Sequence, residues 1–196
     1  MHPYITDSNE RNYVLFFIAV FSIFVAWALH VVLTSIQFTT PWWIDAPSVI
    51  GFYGLFYTIF NMYLWKISIL RTIGIVKVPN LNGVWKGHIV SSFDNHATKH
   101  DGTIKIFQRW TNISIILETK YSKGHTHVAT VLTENPGGTL LTYEYLNEPA
   151  PNAEDTMNIH RGTGMLVLQP NEKILIGEYY SGRGRQNFGT LEFKRA

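Results

Sequence analysis

Residues 173–194 read KILIGEYYSGRGRQNFGTLEFK, and this stretch indicates the fold of the second half of the chain. Near its end small or apolar residues alternate with polar ones, with Gly189, Leu191 and Phe193 on one face and Thr190, Glu192 and Lys194 on the other. A period of two is typical of a strand with one buried face. Glycines in segment 181–184 are typical of a turn. The stretch therefore predicts two antiparallel strands, 173–180 and 187–194.

The same pattern recurs throughout the second half, where short β-branched and aromatic runs are separated by turn residues. Eight strands are predicted: 83–90, 103–110, 112–119, 125–132, 139–146, 160–168, 173–180 and 187–194. Predicted turns include Lys123-Gly124 and the proline-containing segments 135–138 and 169–172. An eight-stranded antiparallel up-and-down β-barrel of lipocalin-like form fits this order, and a β-sandwich of seven or eight strands is the competing fold. The meander order favours the barrel.

Alternation within the strands predicts the inward side chains of such a barrel. On the second strand these are Ile104, Ile106, Gln108 and Trp110. Across all strands the inward set is apolar at one end and mixed polar and aromatic at the other, which indicates a closed base and an open mouth. Glycines on these faces suit close strand curvature or space for a ligand, namely Gly162, Gly164, Gly177 and Gly189.

The first half of the chain has a different composition, which suits a lipid bilayer. Only seven of the 30 charged residues lie in residues 1–78, so the mean hydropathy of +0.02 averages two unlike regions. Tyr13 to Leu33 and Ser48 to Trp65 are uncharged and long enough to cross a bilayer as helices. The first run is too long for the apolar part of a signal peptide. We therefore expect a two-helix transmembrane hairpin in residues 1–78 and a β-barrel domain in residues 79–196.

Lysine and arginine positions predict the orientation of the hairpin. Arg11 precedes the first span and Lys66, Arg71 and Lys77 follow the second, whereas the 34–47 loop has no lysine or arginine. The positive-inside rule places both termini and the barrel in the cytoplasm, as a multi-pass protein. An interfacial aromatic belt is expected at Tyr13, Trp42, Trp43, Tyr63 and Trp65.

Composition and motifs exclude several functions. The net charge of +2 gives no bulk attraction to DNA or RNA, and the absence of cysteine excludes thiolate catalysis and cysteine-based zinc sites. No sequence signature of a hydrolase, nucleotide-binding loop or metalloprotease occurs. His125 and His127 share a strand face but have no evident third metal ligand, so surface histidines are the favoured interpretation. We expect neither an enzyme nor a bound metal or cofactor.

Residues 177–185, GEYYSGRGR, are the most suggestive binding segment. Arginine guanidinium groups and the backbone amides of a glycine turn suit phosphate oxygens, and tyrosine faces can stack on a nucleobase. Further aromatic, basic and amide groups come from Tyr143, Tyr145, His160, Arg161 and Gln108. The alternative interpretation is a hairpin turn with solvated arginines and ordinary strand side chains.

A resemblance to a known family follows from several stretches in order. They are LNGVWKG (81–87), IFQRW (106–110), LTYEY (141–145), HRGTG (160–164) and GEYYSGRGR (177–185). Together with two preceding spans, they resemble the two-transmembrane β-barrel effectors associated with CD-NTases in CBASS anti-phage operons. The resemblance covers essentially the whole chain.

The resemblance implies a barrel that senses a cyclic dinucleotide made by a partner CD-NTase after infection. Binding would then drive the membrane segments to form a homo-oligomer that breaches the bacterial inner membrane and kills the cell. Pocket roles carry over to Tyr143, Tyr145, His160, Arg161, Thr163, Tyr179, Arg183 and Arg185, and we add Gln108 for a base edge.

Two alternatives remain open from the sequence. A membrane-tethered lipocalin-like carrier of an apolar ligand predicts an entirely apolar interior, with Gln108, His160 and the arginines pointing outward. A hydrolase using His160 would require a nucleophile, and none is identifiable in the sequence.

Overall fold

The computed structural model describes residues 1–37, 42–153, 157–183 and 185–196, with only the backbone described for residues 42–47. The chain forms two compact units. One is Asn9–Lys77, and the other combines Met1–Ser8 with Val78–Ala196. The sequence-based division at Val78 therefore misplaced the first eight residues, which belong with the barrel.

The unit Asn9–Lys77 is helical. Helix α1 (Glu10–Ser35) has 26 residues and helix α2 (Trp42–Met62) has 21. A 3-10 turn at Leu64–Lys66 and the short helix α3 (Ser68–Thr72) follow. Helices α1 and α2 pack against each other, with the rings of Phe21 and Phe56 at a centroid distance of 5.0 Å.

Helix α1 contains the predicted span Tyr13 to Leu33. Among the residues described, it is the one helix long and apolar enough to cross a membrane by length and composition. Helix α2 covers most of the predicted span Ser48 to Trp65 but ends at Met62. Trp65 was wrongly assigned to the aromatic belt, because its side chain is completely buried in the protein.

The other predicted belt residues have different outcomes. Tyr13 and Tyr63 are exposed on the protein, at 62% and 66%. The side chains of Trp42 and Trp43 lie outside the described residues.

The second unit is a closed barrel of eight antiparallel strands. Their bounds are β3 (Gly83–Ser91), β4 (Lys99–Gln108), β5 (Asn112–Thr119), β6 (Ser122–Leu132), β7 (Thr139–Pro149), β8 (His160–Leu168), β9 (Ile174–Ser181) and β10 (Phe188–Arg195). The order around the barrel is β5-β4-β3-β10-β9-β8-β7-β6, and pairing of β5 with β6 closes it. The barrel prediction is confirmed over the sandwich, because one continuous sheet returns to its own first edge.

Two short strands before α1 complete the barrel wall. Strand β1 (His2–Pro3) pairs antiparallel with β5, and strand β2 (Ile5–Thr6) pairs parallel with β6. Sequence patterning did not reveal them, since two residues carry no measurable period. They occupy the part of the junction where β5 and β6 do not pair with each other.

The base of the barrel holds its hydrophobic core. The fully buried large side chains there include Trp85, Trp110, Ile104, Leu141, Leu166, Leu175 and Phe193. The segment 78–82 lies across this end, held by the Gln108 side chain, which accepts from Leu81 N at 2.8 Å and donates to the Pro79 carbonyl at 3.2 Å. The inward alternation predicted for the strands is thus observed, with an apolar base.

The strand glycines permit close packing. A Cβ at Gly177 would overlap the Met165 carbonyl, and one at Gly189 would overlap that of Val90. These two glycines therefore serve strand curvature. The predicted turn at Lys123-Gly124 is wrong, because β6 already begins at Ser122 and Gly124 pairs with both Leu117 and Asn147.

Candidate functional site

A cavity of about 400 Å³ opens at the end of the barrel opposite the base. This volume falls within the range of small-molecule sites. Its polar and aromatic lining includes Ser91, Phe93, Lys99, His100, Asp101, Lys120, Tyr121, Tyr143, Tyr145, Asn147, His160, Tyr179, Ser181, Arg185 and Asn187. The predicted mixed polar and aromatic mouth is present.

Strands β7 and β8 build one wall of the cavity. Tyr143, Tyr145 and Asn147 are inward on β7 because they are two residues apart, and all three are buried. Each tyrosine lies against a glycine of β8, since Tyr143 pairs with Gly164 and Tyr145 with Gly162. A Cβ at either glycine would overlap the facing tyrosine ring. These two glycines therefore make room for aromatic side chains.

Arg185 is held rigidly at the cavity. Its guanidinium lies 5.0 Å from the centre of the Phe93 ring, a cation–π contact. With its amide oxygen facing the guanidinium, Asn187 accepts from Arg185 Nε at 2.9 Å. Arg185 Nη1 is buried and has no hydrogen-bond partner among the residues described. Within the described part of the chain, this cation thus keeps a buried donor without an acceptor in the cavity wall.

Tyr143 presents a second unsatisfied group. Its hydroxyl is buried and finds no partner within the described part of the chain, and burial raises its pKa well above the usual range. Buried polar atoms are normally hydrogen-bonded, and leaving one unpaired costs about 1–3 kcal/mol. Tyr143 and Arg185 therefore mark the cavity as a site for a polar ligand.

Two further tyrosines of the cavity, Tyr145 and Tyr179, are neutral at physiological pH. Burial raises the pKa of Tyr145, and its ring lies 6.2 Å from that of Tyr143. Burial also raises the pKa of Tyr179, whose hydroxyl donates to Ser91 Oγ at 2.8 Å. The cavity therefore offers aromatic faces without negative charge.

His160 lies beside Tyr145, with ring centroids 6.4 Å apart and the rings nearly perpendicular. Its Nδ1 donates to the Asn158 carbonyl at 2.9 Å. Burial lowers the pKa of His160, and the positive charge of Arg185 lowers it further. The imidazole is therefore neutral above pH 7.

Exposed side chains form the rim of the cavity. Lys120, in the turn between β5 and β6, has its ammonium 5.0 Å from the centre of the Tyr121 ring. Lys99 and Asp101 come from the start of β4, and His100 pairs with Asp94 at 3.1 Å. Among the described residues, the cations Lys99, Lys120 and Arg185 thus line the site together with the carboxylate of Asp101.

The structure brings together five of the nine predicted ligand-binding residues. Tyr143, Tyr145, His160, Tyr179 and Arg185 all line the cavity. Tyr143, Tyr145, His160 and Tyr179 lie on the inward faces of their predicted strands, and Arg185 lies in the connection between β9 and β10.

The other four lie outside the cavity lining. Gln108 is buried at the base, where segment 78–82 occupies its amide. Arg161 and Thr163 lie on β8 positions that alternate with the inward ones, and Arg183 is exposed in the turn after β9.

Sequence reasoning missed Phe93, Asn147, Lys99, Lys120 and Tyr121. Asn147 continues the period of Tyr143 and Tyr145, so extending β7 by one step would have found it. Phe93 and Lys120 come from connections between strands, where no period applies.

Two protein-family models match the chain. Residues 76–195 match the family model described as the Cap15 cyclic dinucleotide receptor domain, and residues 12–66 match the model for the Cap15 TM helices. The chain belongs to the Cap15 family. The first match covers the barrel strands β3 to β10 and the second covers α2 and most of α1, so the sequence-based resemblance to CBASS effectors is confirmed.

Two curated proteins of this family are similar over most of their length. CD-NTase-associated protein 15 of Yersinia aleksiciae is 28% identical, covering 99% of this chain and 97% of the relative. CD-NTase-associated protein 15 of Staphylococcus schleiferi is 25% identical, covering 78% and 80%. Both names associate the Cap15 family with CD-NTases.

The lowered pKa of His160 predicts a pH dependence of stability. Its pKa in the folded chain lies below the unfolded value of 6.5, so acid protonates the unfolded chain first. The stabilisation from neutral His160 is complete above pH 6.5 and is lost as the pH falls from there toward the folded-state value. Between pH 7.5 and about pH 5.5, the unfolding temperature should therefore fall less for His160→Gln than for the wild type.

The measurement is thermal unfolding of the full chain in detergent, followed by near-ultraviolet circular dichroism. His127→Gln is the control, since His127 is exposed on β6. Equal pH dependence in wild type and His160→Gln would contradict the prediction.

Proposed function

We propose that this Cap15-family chain is a membrane-anchored receptor that binds a cyclic dinucleotide in the cavity between Tyr143 and Arg185. The observation that carries the proposal is a pair of buried polar atoms with no hydrogen-bond partner among the residues described, the Tyr143 hydroxyl and Arg185 Nη1. A ligand with phosphate oxygens satisfies both, because each atom donates a hydrogen bond and phosphate oxygens accept them.

The remaining chemistry of the cavity fits the rest of such a ligand. Tyr143, Tyr145 and Tyr179 offer faces on which a base stacks, a contact worth about 1–3 kcal/mol per base. Asn147 supplies a buried amide for a base edge. The cations Lys99, Lys120 and Arg185 complement two phosphate charges, although the chain as a whole carries only +2.

An apolar ligand fits the cavity less well. The lipocalin-like alternative requires His160 and the arginines to point outward, whereas His160 and Arg185 line the cavity. Burying an apolar molecule against the Tyr143 hydroxyl and Arg185 would leave both unpaired. A hydrolase using His160 gains no support, because within the described part of the chain no serine, threonine or acid hydrogen-bonds to its ring.

The strand pairing of the N-terminal residues supports the two-span topology. Met1–Ser8 and Val78–Ala196 form one compact unit, so both flanks of the helical region lie on the same side of a bilayer. A chain whose flanks share one side crosses an even number of times. If α1 crosses, then α2 crosses back, and the positive-inside rule places the barrel in the cytoplasm at the inner membrane.

Ligand binding then acts on the membrane through assembly of several copies. A ligand shifts an equilibrium only if it binds the assembled state more tightly than the free one. We propose that occupied barrels favour the homo-oligomer, whose packed α1 and α2 helices breach the inner membrane. The ligand comes from the cognate CD-NTase, and the outcome is death of the infected cell.

The two arginines of the 181–185 segment provide a matched pair of variants. Arg185→Ala should weaken binding about 10- to 100-fold, because a charge-assisted contact with phosphate is lost. Arg183→Ala, which removes an exposed arginine two residues away, should change affinity by less than about twofold. Calorimetric titration of the full chain in detergent with cyclic di-AMP, cyclic di-GMP and cyclic GMP–AMP measures both. Equal effects of the two substitutions would place the ligand elsewhere.

Tyr143→Phe separates ligand binding from stability. The free variant should be at least as stable as the wild type, because an unpaired buried hydroxyl is removed, while affinity for the ligand falls about 2- to 10-fold. Tyr179→Phe is the contrast, since its hydroxyl is already paired with Ser91, and that variant should unfold at a lower temperature. Thermal unfolding and titration of the same preparations test this. Unchanged affinity in Tyr143→Phe would remove its hydroxyl from the site.

Membrane disruption is tested with vesicles of phosphatidylethanolamine and phosphatidylglycerol that contain a self-quenched dye. The reconstituted full chain should release dye only after a binding cyclic dinucleotide is added, and its sedimentation in detergent should shift to larger species. Arg185→Ala at the same ligand concentration is the control. Dye release that does not depend on ligand would contradict receptor control of the membrane region.

A further inference from the structure

The junction between β5 and β6 has two halves with different partners. Near the cavity the strands pair directly, through Ile116–Glu118 on β5 and Lys123–His125 on β6. The cavity lining in this half consists of Leu117 and Thr119 of β5, the turn residues Lys120 and Tyr121, and Ser122 of β6. Toward the base, the register of β6 shifts between Thr126 and Val128, and direct pairing with β5 ends.

Residues 1–8, here called the strap, fill the second half of the junction. His2 and Pro3 pair with β5, and Ile5 and Thr6 pair with β6, so each short strand contributes two residue pairs. Between them, Tyr4 is 2% exposed and its hydroxyl donates to the Trp110 carbonyl at 2.7 Å. The strap thus replaces a missing length of strand pairing in the barrel wall.

The end of the strap is anchored at the turn after β6. The Asp7 carboxylate accepts from Thr133 N at 2.8 Å, from Thr133 Oγ1 at 3.0 Å and from Glu134 N at 2.9 Å. Helix α1 starts at Glu10, so the chain from strand β2 to the first predicted span is only a few residues long. Any departure of the strap from the junction therefore changes what holds the start of α1.

We propose that the strap is a releasable part of the barrel, and that ligand in the cavity favours its release. This proposal rests on the proposed function, because it concerns regulation by the same ligand. A ligand that contacts both Arg185 and the turn residues Lys120 and Tyr121 moves β5 and β6 at the half of the junction lining the cavity. The strap depends on the spacing of those same two strands, and its four strand pairs are few enough to be lost. Release removes the tether between the barrel wall and the start of α1, which favours assembly.

A disulfide that locks the strap tests the proposal. Pro3 and Asn112 are directly paired across β1 and β5, and the chain has no cysteine, so Pro3→Cys/Asn112→Cys introduces the only thiols. Ligand-dependent dye release should be at least tenfold lower for the oxidised variant than for the same variant after reduction. The control is Val90→Cys/Thr190→Cys, which joins β3 and β10 at a register pair away from the junction. It should release dye equally when oxidised and reduced.

A weakened strap gives the reciprocal test. Because coupling between two events is mutual, Tyr4→Phe, which removes the bond to Trp110, should raise ligand affinity about two- to tenfold. Ile5→Ala is the matched control, since the Ile5 side chain is 65% exposed, and its affinity should stay within about twofold of the wild type. Ligand should also speed hydrogen exchange of the strap amides.

The outcomes distinguish failure of the proposed function from failure of strap release. If the wild type binds none of cyclic di-AMP, cyclic di-GMP and cyclic GMP–AMP, the ligand class is rejected, and the strap's coupling with it. If the wild type binds and the oxidised Pro3→Cys/Asn112→Cys chain releases dye as well as its reduced form, strap release alone is rejected. Unchanged or weaker affinity in Tyr4→Phe also rejects it.

Discussion

Closure of the sheet between β5 and β6 is the constraint on which the receptor unit depends. An eight-stranded barrel is stable only if its first and last strands meet, because open edges leave backbone donors and acceptors unpaired. Here β5 and β6 pair directly over only half of their junction, and residues 2–6 pair with both strands over the other half. The side of the barrel that closes least completely is also the side whose turn borders the cavity.

The barrel interior is divided along its axis by one rule of side-chain placement. Every second residue points inward, so a strand that runs from base to mouth contributes Leu141 to the core and then Tyr143, Tyr145 and Asn147 to the cavity. The tyrosines reach inward because Gly162 and Gly164 leave their rings room. Core stability and ligand chemistry thus come from the same strands, separated by about two residues.

Sequence patterning was sufficient for the barrel because period-two runs with a buried face specify both strand and direction. For Tyr143 and His160 the pocket role came from the resemblance to CBASS effectors and not from patterning. Patterning failed where no period exists, as at Phe93 in a connection and at Tyr4 in a segment too short to show one. Gln108 points inward as predicted, but it lies at the base of the barrel and not at the cavity. Its height along the barrel axis depends on the stagger of the strands, which the period of two does not reveal.

The pairing of the first residues with β5 and β6 also orders the events of synthesis. Residues 2–6 leave the ribosome more than a hundred residues before Thr130 and Val131, so they stay unpaired while α1 and α2 are made. The barrel wall can close completely only if residues 2–6 remain on the side of the membrane where β5 and β6 fold. A chain inserted with its N-terminus across the membrane would keep an open junction, which exposes it to quality control by proteases.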